Sequence, residues 1–148
     1  MATGSTPQTP AQRILVRSLE LLENGDARGW VDLFRPDGVL EFPYAPEGWP
    51  KRFEGRDALW AHMSKFPEHL SVTFSGIVFR ETADPYLAIA EFHGNGTALS
   101  SGRPFVQEYI SVLWSDDTEI VHYRDFWNPL LHLQALGGAE AAAQIVQS

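Results

Sequence analysis

The sequence predicts an α+β fold: a strongly curved, mainly antiparallel sheet wrapped by three N-terminal helices into a cone-shaped barrel. Three observations carry this. Apolar residues recur at helical spacing in the first part of the chain, as in Ile14, Leu15, Leu19 and Leu22. From Val72 onward the period changes to strand alternation, in four runs separated by turn sequences. The last run leads directly into Asn128-Pro129, which fits a helix N-cap followed by the first helical position. Helices gathered on one face of an antiparallel sheet define this class. A bent sheet closed by helices encloses a space of the kind ligands occupy.

The elements follow in order. Met1 to Gln8 is rich in Thr, Ser and Pro and reads as a mobile start. Thr9-Pro10 can cap and begin the first helix, and Asn24-Gly25 suits its end. Asp26 can cap a short second helix carrying Trp30, Leu33 and Phe34. Arg35-Pro-Asp-Gly38 reads as a turn before a short strand, Val39 to Phe42. Pro43 to Pro50 holds three prolines and two aromatics and reads as an irregular loop. Arg56 to Lys65 is a third helix with Leu59, Trp60, Met63 and Phe66 on its apolar side, stopped by Pro67. Four strands then run Val72–Arg80, Tyr86–His93, Phe105–Trp114 and Ile120–Trp127, the second ending at Gly94-Asn-Gly96. A two-turn helix follows and stops at Gly137-Gly138. Residues 9–138 thus form one domain, and 139–148 are a flexible or helical alanine-rich tail.

Composition narrows the function. The 148 residues are enough for one domain with a real core. The net charge of −8 argues against a nucleic-acid or anionic-membrane partner, which would need a basic face. With no cysteine, disulfides, thiolate nucleophiles and cysteine metal sites are excluded. No stretch has signal-peptide or membrane-span character, so the expected location is the cytoplasm.

In the last strand Val121, Tyr123, Asp125 and Trp127 share one face. A lone carboxyl among aromatics is costly to ionise if that face is buried. Its pKa would rise, making Asp125 a candidate acid or base. The plainer alternative is a carboxylate tied to loop N–H groups or to Arg52 or Arg103. Arg124 points to the other face. His62 lies at the edge of the third helix's apolar stripe and could exchange protons near neutral pH. Alternatively it is a core histidine bonded to backbone.

Element order and local motifs resemble the nuclear transport factor 2-like (cystatin-like) superfamily, with its ketosteroid isomerases, limonene epoxide hydrolases and SnoaL-like polyketide cyclases. The resemblance is nearest to the phenazine-biosynthesis A/B proteins. It rests on Gly55-Arg-Asp-Ala-Leu-Trp-Ala-His62, Phe66-Pro-Glu68, Phe79-Arg-Glu-Thr-Ala-Asp-Pro85, Glu91-Phe-His-Gly-Asn-Gly96, Tyr123-Arg-Asp-Phe-Trp-Asn-Pro129 and Leu136-Gly137. It implies a cytoplasmic, usually homodimeric cavity enzyme with no metal or organic cofactor, acting by acid–base catalysis on a small hydrophobic metabolite. It places a histidine at His62 and a glutamate where Asp125 stands, one methylene shorter. The segment between His62 and Phe66 is a few residues shorter here. The ketosteroid isomerase base would fall near Phe42, which cannot transfer protons.

Further residues could line the pocket. Gln107, Tyr109 and Ser111 share a face, and Tyr109 could donate to a substrate carbonyl or simply pack. Tyr123 and Trp127 read as pocket wall. Glu91, His93 and Asn95 form a polar row that lines a wet cavity or faces solvent or a partner. As metal ligands they lack donors and a supporting shell. Tyr44 and Trp49 sit on the Pro-rich loop and could cover the cavity mouth. The serines lack histidine and carboxylate companions at recognisable spacing, and no glycine-rich nucleotide motif is present. The favoured reading is an enzyme in which Asp125 and His62 move protons in a cyclisation, condensation, isomerisation or dehydration of a carbonyl compound. Two other readings remain open: a non-catalytic carrier, and a dimeric scaffold packing through Ile110, Val112 and Trp114.

Overall fold

The computed structural model describes residues 5–135. Helix α1 spans Pro10–Glu23. The Thr9 side chain accepts from the Gln12 N–H at 3.2 Å, and Pro10 occupies the first turn, where no N–H is missed. Gly25, at φ 71°, turns the chain away. Helix α2, Ala27–Asp32, is capped by Asp26, which accepts from the Gly29 N–H at 2.8 Å. Both helices start where sequence chemistry places them.

Strand β1, Phe34–Glu41, is interrupted by a register shift between Phe34 and Val39, so the expected turn is a break inside the strand. The short β2, Arg52–Glu54, pairs with it. Helix α3, Arg56–Met63, buries Leu59 and Met63. Pro67 does not end the helical region outright; it lies in a further single turn, α4, Phe66–His69. Then come β3, Leu70–Arg80, β4, Leu87–Ala98, β5, Arg103–Ser115, β6, Ile120–Trp127, and helix α5, Pro129–Ala135.

The six strands make one sheet in the order β2-β1-β6-β5-β4-β3. Among the described residues only β1 and β6 run parallel, and every other pairing is antiparallel. The sheet is curved and unclosed, with β2 and β3 at its edges. The helices therefore complete the enclosure that strands alone leave open. Ile14, Leu15 and Leu19 of α1 are buried in one core with Leu40, Phe74, Phe92, Phe105 and Leu113 of the sheet.

Strand β4 runs past the expected stop at His93 because its glycines serve packing. A Cβ on Gly96 would stand 1.7 Å from the Ser71 carbonyl oxygen, so only glycine lets β3 approach this closely. A Cβ on Gly94 would stand 2.9 Å from Tyr109 Cε2.

Ser5 lies along the edge of β3: its N–H donates to the Ile77 carbonyl at 2.6 Å and its hydroxyl accepts from the Phe79 N–H at 3.3 Å. Within the start expected to be mobile, residues 1–8, Ser5 thus makes two contacts with the sheet edge. The expected helix stop at Gly137-Gly138 and the 139–148 tail lie outside the described residues. Among those residues no helix is long and apolar enough to cross a membrane.

Candidate active site

Between the helices and the concave face of the sheet lies a cavity of about 580 Å³. Leu19, Leu40, Phe74, Phe92, Phe105 and Trp127 supply much of its wall. Lys65, Glu68 and His69, exposed on the α3–α4 segment, border it where it meets solvent.

Asp125 projects into this space from β6. Tyr123 and Trp127 share its face and are buried, as strand alternation requires. Val121 does not join them. The register between β5 and β6 slips between Trp114 and Ser115, and that bulge turns Val121 outward while Ile120 takes the interior position. Asp125 keeps some accessible surface, but it opens into the cavity. Its Oδ1 is sealed and has no hydrogen-bond partner among the described residues. Burial pushes the carboxyl up to about 8, against a smaller opposing effect of the Ser111 hydroxyl. Neither arginine considered as a partner neutralises it: Arg52 pairs with Glu54 and Glu41, and Arg103 makes no contact with it. Arg124, on the opposite face, lies 3.5 Å from Glu41.

Behind Asp125 lies a pair of bonded hydroxyls, with Ser18 beyond it. The Ser111 and Tyr123 hydroxyls are 2.8 Å apart, and Ser18 donates to the Leu15 carbonyl at 2.6 Å. Desolvation outweighs the opposing effect of Ser111, and the neutral form of Asp125 is favoured.

Tyr109 reaches the cavity from β5. Its ring stacks on Phe92 at 5.0 Å, over the space left by Gly94. Burial, then the nearby Asp125, holds its phenol well above the usual range. Its hydroxyl has no partner among the described residues and remains a free donor. Tyr123 and Trp127 line the cavity, as does Trp49 from the Pro-rich loop.

His62 also lines it, but near the outside, with its ring stacked on Phe53 at 4.3 Å and tilted against Phe42 at 5.5 Å. The residue is exposed, while this aromatic contact desolvates the ring enough to lower its pKa. The cavity thus contains both Asp125 and His62 without bringing them into contact.

Four expected lining residues stand elsewhere. Gln107 faces inward, but its amide is consumed by structure: Oε1 accepts from the Asn128 N–H and Nε2 donates to the Asn128 carbonyl, both at 2.8 Å. Glu91 and His93 lie on the outer face, because Ala90 and Phe92 take the buried side of β4. Glu91 accepts from Arg80 at 2.8 Å, and His93 stands 3.7 Å from Glu108. Tyr44 is 61% exposed, with its ring edge on Phe126 rather than over the cavity. Together these outer residues border a shallow groove with Ile110.

Sequence reasoning missed His132. Asn128 caps α5 by accepting from the Leu130 N–H at 3.0 Å. The helix then turns His132 and Ala135, three positions apart, toward the interior. Its ring packs on Trp127, Trp49 and Phe105 at 5.0, 5.3 and 6.0 Å. Burial lowers its pKa to about 4. The available signal was helical spacing after Asn128-Pro129, but it required knowing how α5 docks. Among the described residues, no group of three or more His, Asp or Glu side chains could hold a metal ion.

Residues 15–123 match the model of the SnoaL-like domain family. A Pseudomonas aeruginosa protein named PhzA/B-like is 68% identical over 137 residues, covering 93% of this chain and 97% of that one. A crystal structure of a Bacillus subtilis protein superposes with a TM-score of 0.84 at 37% identity, covering 88% and 94% of the two chains. A phenazine-biosynthesis-related protein of Pseudomonas aeruginosa shares the fold at a TM-score of 0.72 and 22% identity, covering 88% and 86%.

Proposed function

The chain belongs to the SnoaL-like domain family, and from that premise we propose that it is an acid–base enzyme acting on a small, apolar, carbonyl-bearing metabolite. The observation that carries this reading is the Asp125 carboxyl: enclosed with aromatic walls, sealed at Oδ1, and pushed up to about 8. A carboxyl held neutral near physiological pH can donate a hydrogen bond or a proton to a carbonyl oxygen. Tyr109 offers a second donor from the neighbouring strand, and two donors aimed at one oxygen stabilise a developing enolate. Removing a proton from the adjacent carbon is the elementary step shared by cyclisation, condensation, isomerisation and dehydration of such compounds. His62, between cavity and solvent, is suited to exchanging protons with water.

The substrate class follows from the wall. Apart from Asp125 the charged lining side chains are Lys65 and Glu68, both at the exposed border, and no arginine lines the cavity among the described residues. An uncharged, flat guest suits such an interior, since a buried anion would go unpaired. A carrier would have its polar groups saturated by structural partners, whereas the Tyr109 hydroxyl faces the cavity without one among the described residues.

Hydrogen–deuterium exchange at the α-carbon of 2-tetralone in D₂O, followed by proton NMR, tests this. The protein should accelerate exchange, and Asp125→Asn should lower the acceleration by about 100-fold. An unchanged rate in the variant would remove Asp125 from the mechanism.

A further inference from the structure

We infer that His132 is the base that works opposite Asp125, its imidazole removing the proton from the carbon beside the carbonyl that Asp125 holds. This rests on the enzymatic reading above and deepens it. The geometry starts from β6. Asp125 and Trp127 are alternate residues on its inner face, roughly 7 Å apart by strand rise. Helix α5 folds back so that the His132 ring lies on the Trp127 ring at 5.0 Å and 37°. Trp49 meets the same imidazole edge-on at 5.3 Å, and Phe105 stands perpendicular to it at 6.0 Å. A ring caged this way on three sides keeps its orientation. No hydrogen bond ties its nitrogens among the described residues, and the residue borders the cavity. A planar guest lying along the Trp127 wall would meet the carboxyl at one end and the imidazole at the other.

The two groups are complementary in their resting forms. Burial disfavours charge on both, which keeps the acid protonated and the base unprotonated. When a ketone enolises, its α C–H bond breaks and a nitrogen of His132 takes the proton. The C–H electron pair becomes the new C=C bond, and the carbonyl oxygen takes the Asp125 proton. The products are an enol, an imidazolium and a carboxylate, and the opposite charges stabilise each other in the same cavity. His62 is the weaker candidate, because it lies near solvent and the Phe42 ring touches both it and Trp127, at 5.5 and 5.7 Å.

His132→Phe preserves an aromatic ring in the cage while deleting both nitrogens. In the 2-tetralone exchange assay it should lose about 100-fold. Quenching of tryptophan fluorescence by 2-tetralone should persist, and His93→Phe on the outer face should exchange like wild type. In the wild-type protein, the His132 ring ¹⁵N resonances should move when 2-tetralone is added, a readout that depends on no variant folding. Wild-type exchange in His132→Phe, or ring resonances indifferent to the ketone, would overturn the assignment while leaving Asp125 in place. A wild-type protein inert toward 2-tetralone would overturn the enzymatic reading and this assignment together.

Discussion

The Ser111 and Tyr123 hydroxyls stand 2.8 Å apart on neighbouring strands. Ser111 pairs in register with Asp125 across β5 and β6, so the contact lies directly behind the candidate acid. A carboxyl in a greasy cavity is costly unless it sheds its charge or finds partners. Here it does some of each. Ser111 offsets part of the cost, and burial keeps the acid neutral.

Burial of the carboxyl predicts how stability depends on pH. The Asp125 carboxyl has an ordinary value of 3.8 when unfolded and about 8 when folded. Its pKa is raised, so its contribution is fully present below about pH 4 and is lost as pH rises to about 8. Asp125→Asn removes the titration and keeps an oxygen that can accept from Ser111. Thermal melts should show the variant gaining on wild type between pH 5 and pH 8.5. The expected gain is on the order of 2 kcal/mol, once water in the cavity is allowed to soften the penalty. A difference independent of pH would show that the carboxyl is not desolvated.

The Ser111 and Tyr123 hydroxyls should behave as a unit. Tyr123→Phe and Ser111→Ala each strip one member and leave a neighbour unsatisfied, at about 1–2 kcal/mol apiece in urea unfolding. Once either is gone, losing the other should cost less. A double-mutant cycle should therefore return a coupling of about 1 kcal/mol. Strictly additive effects would mean that the two hydroxyls do not share a network.

Much of this site was legible in the sequence because strands alternate. Tyr123, Asp125 and Trp127 share a face for that reason, and so do Gln107, Tyr109 and Ser111. Alternation sorts residues into two sets without saying which set is inside. In β4 the outward set holds Glu91 and His93, and the inward set is small or apolar, from Ala88 to Gly94. The polar row therefore suggested a cavity lining that packing does not support. Val121 was misplaced by a bulge that no local pattern announces. Strand β2 has three residues, none buried, too few to show a period. His132 depended on the docking of α5, a tertiary relation set partly by the Gln107 amide holding Asn128. The family resemblance reached His62 and Asp125, whose positions carry its motifs, but not the imidazole beyond them.

The glycines of β4 should differ in what their replacement costs. On Gly94 a new methyl meets the Tyr109 ring at 2.9 Å, and a side chain can shift. Gly94→Ala should cost about 1–3 kcal/mol and weaken 2-tetralone binding as the ring moves toward the cavity. On Gly96 the obstacle is the Ser71 carbonyl at 1.7 Å, and backbone in a paired strand has little room to yield. Gly96→Ala should melt well below Gly94→Ala. The reverse order would mean that β3 and β4 do not approach as closely as the structure has them.

The charge of the guest is the last property the cavity determines. The deep lining contains Asp125, His132, Tyr109 and Tyr123, and burial pushes each of these toward its uncharged form. The lining lysine lies at the exposed border. A bound carboxylate would thus sit beside a carboxyl with no cation to pair it, and the desolvation cost would go uncompensated. Trp49 and Trp127 border the space and report occupancy by fluorescence. At pH 7, 2-tetralone should bind at least about 10-fold more tightly than 2-naphthoate, a discrimination of roughly 1.4 kcal/mol. The gap should narrow as the naphthoate protonates toward roughly pH 4, an ordinary carboxyl range. Equal affinity at neutral pH would require a cation within reach of the bound carboxylate, and the assignment of an uncharged substrate would fall.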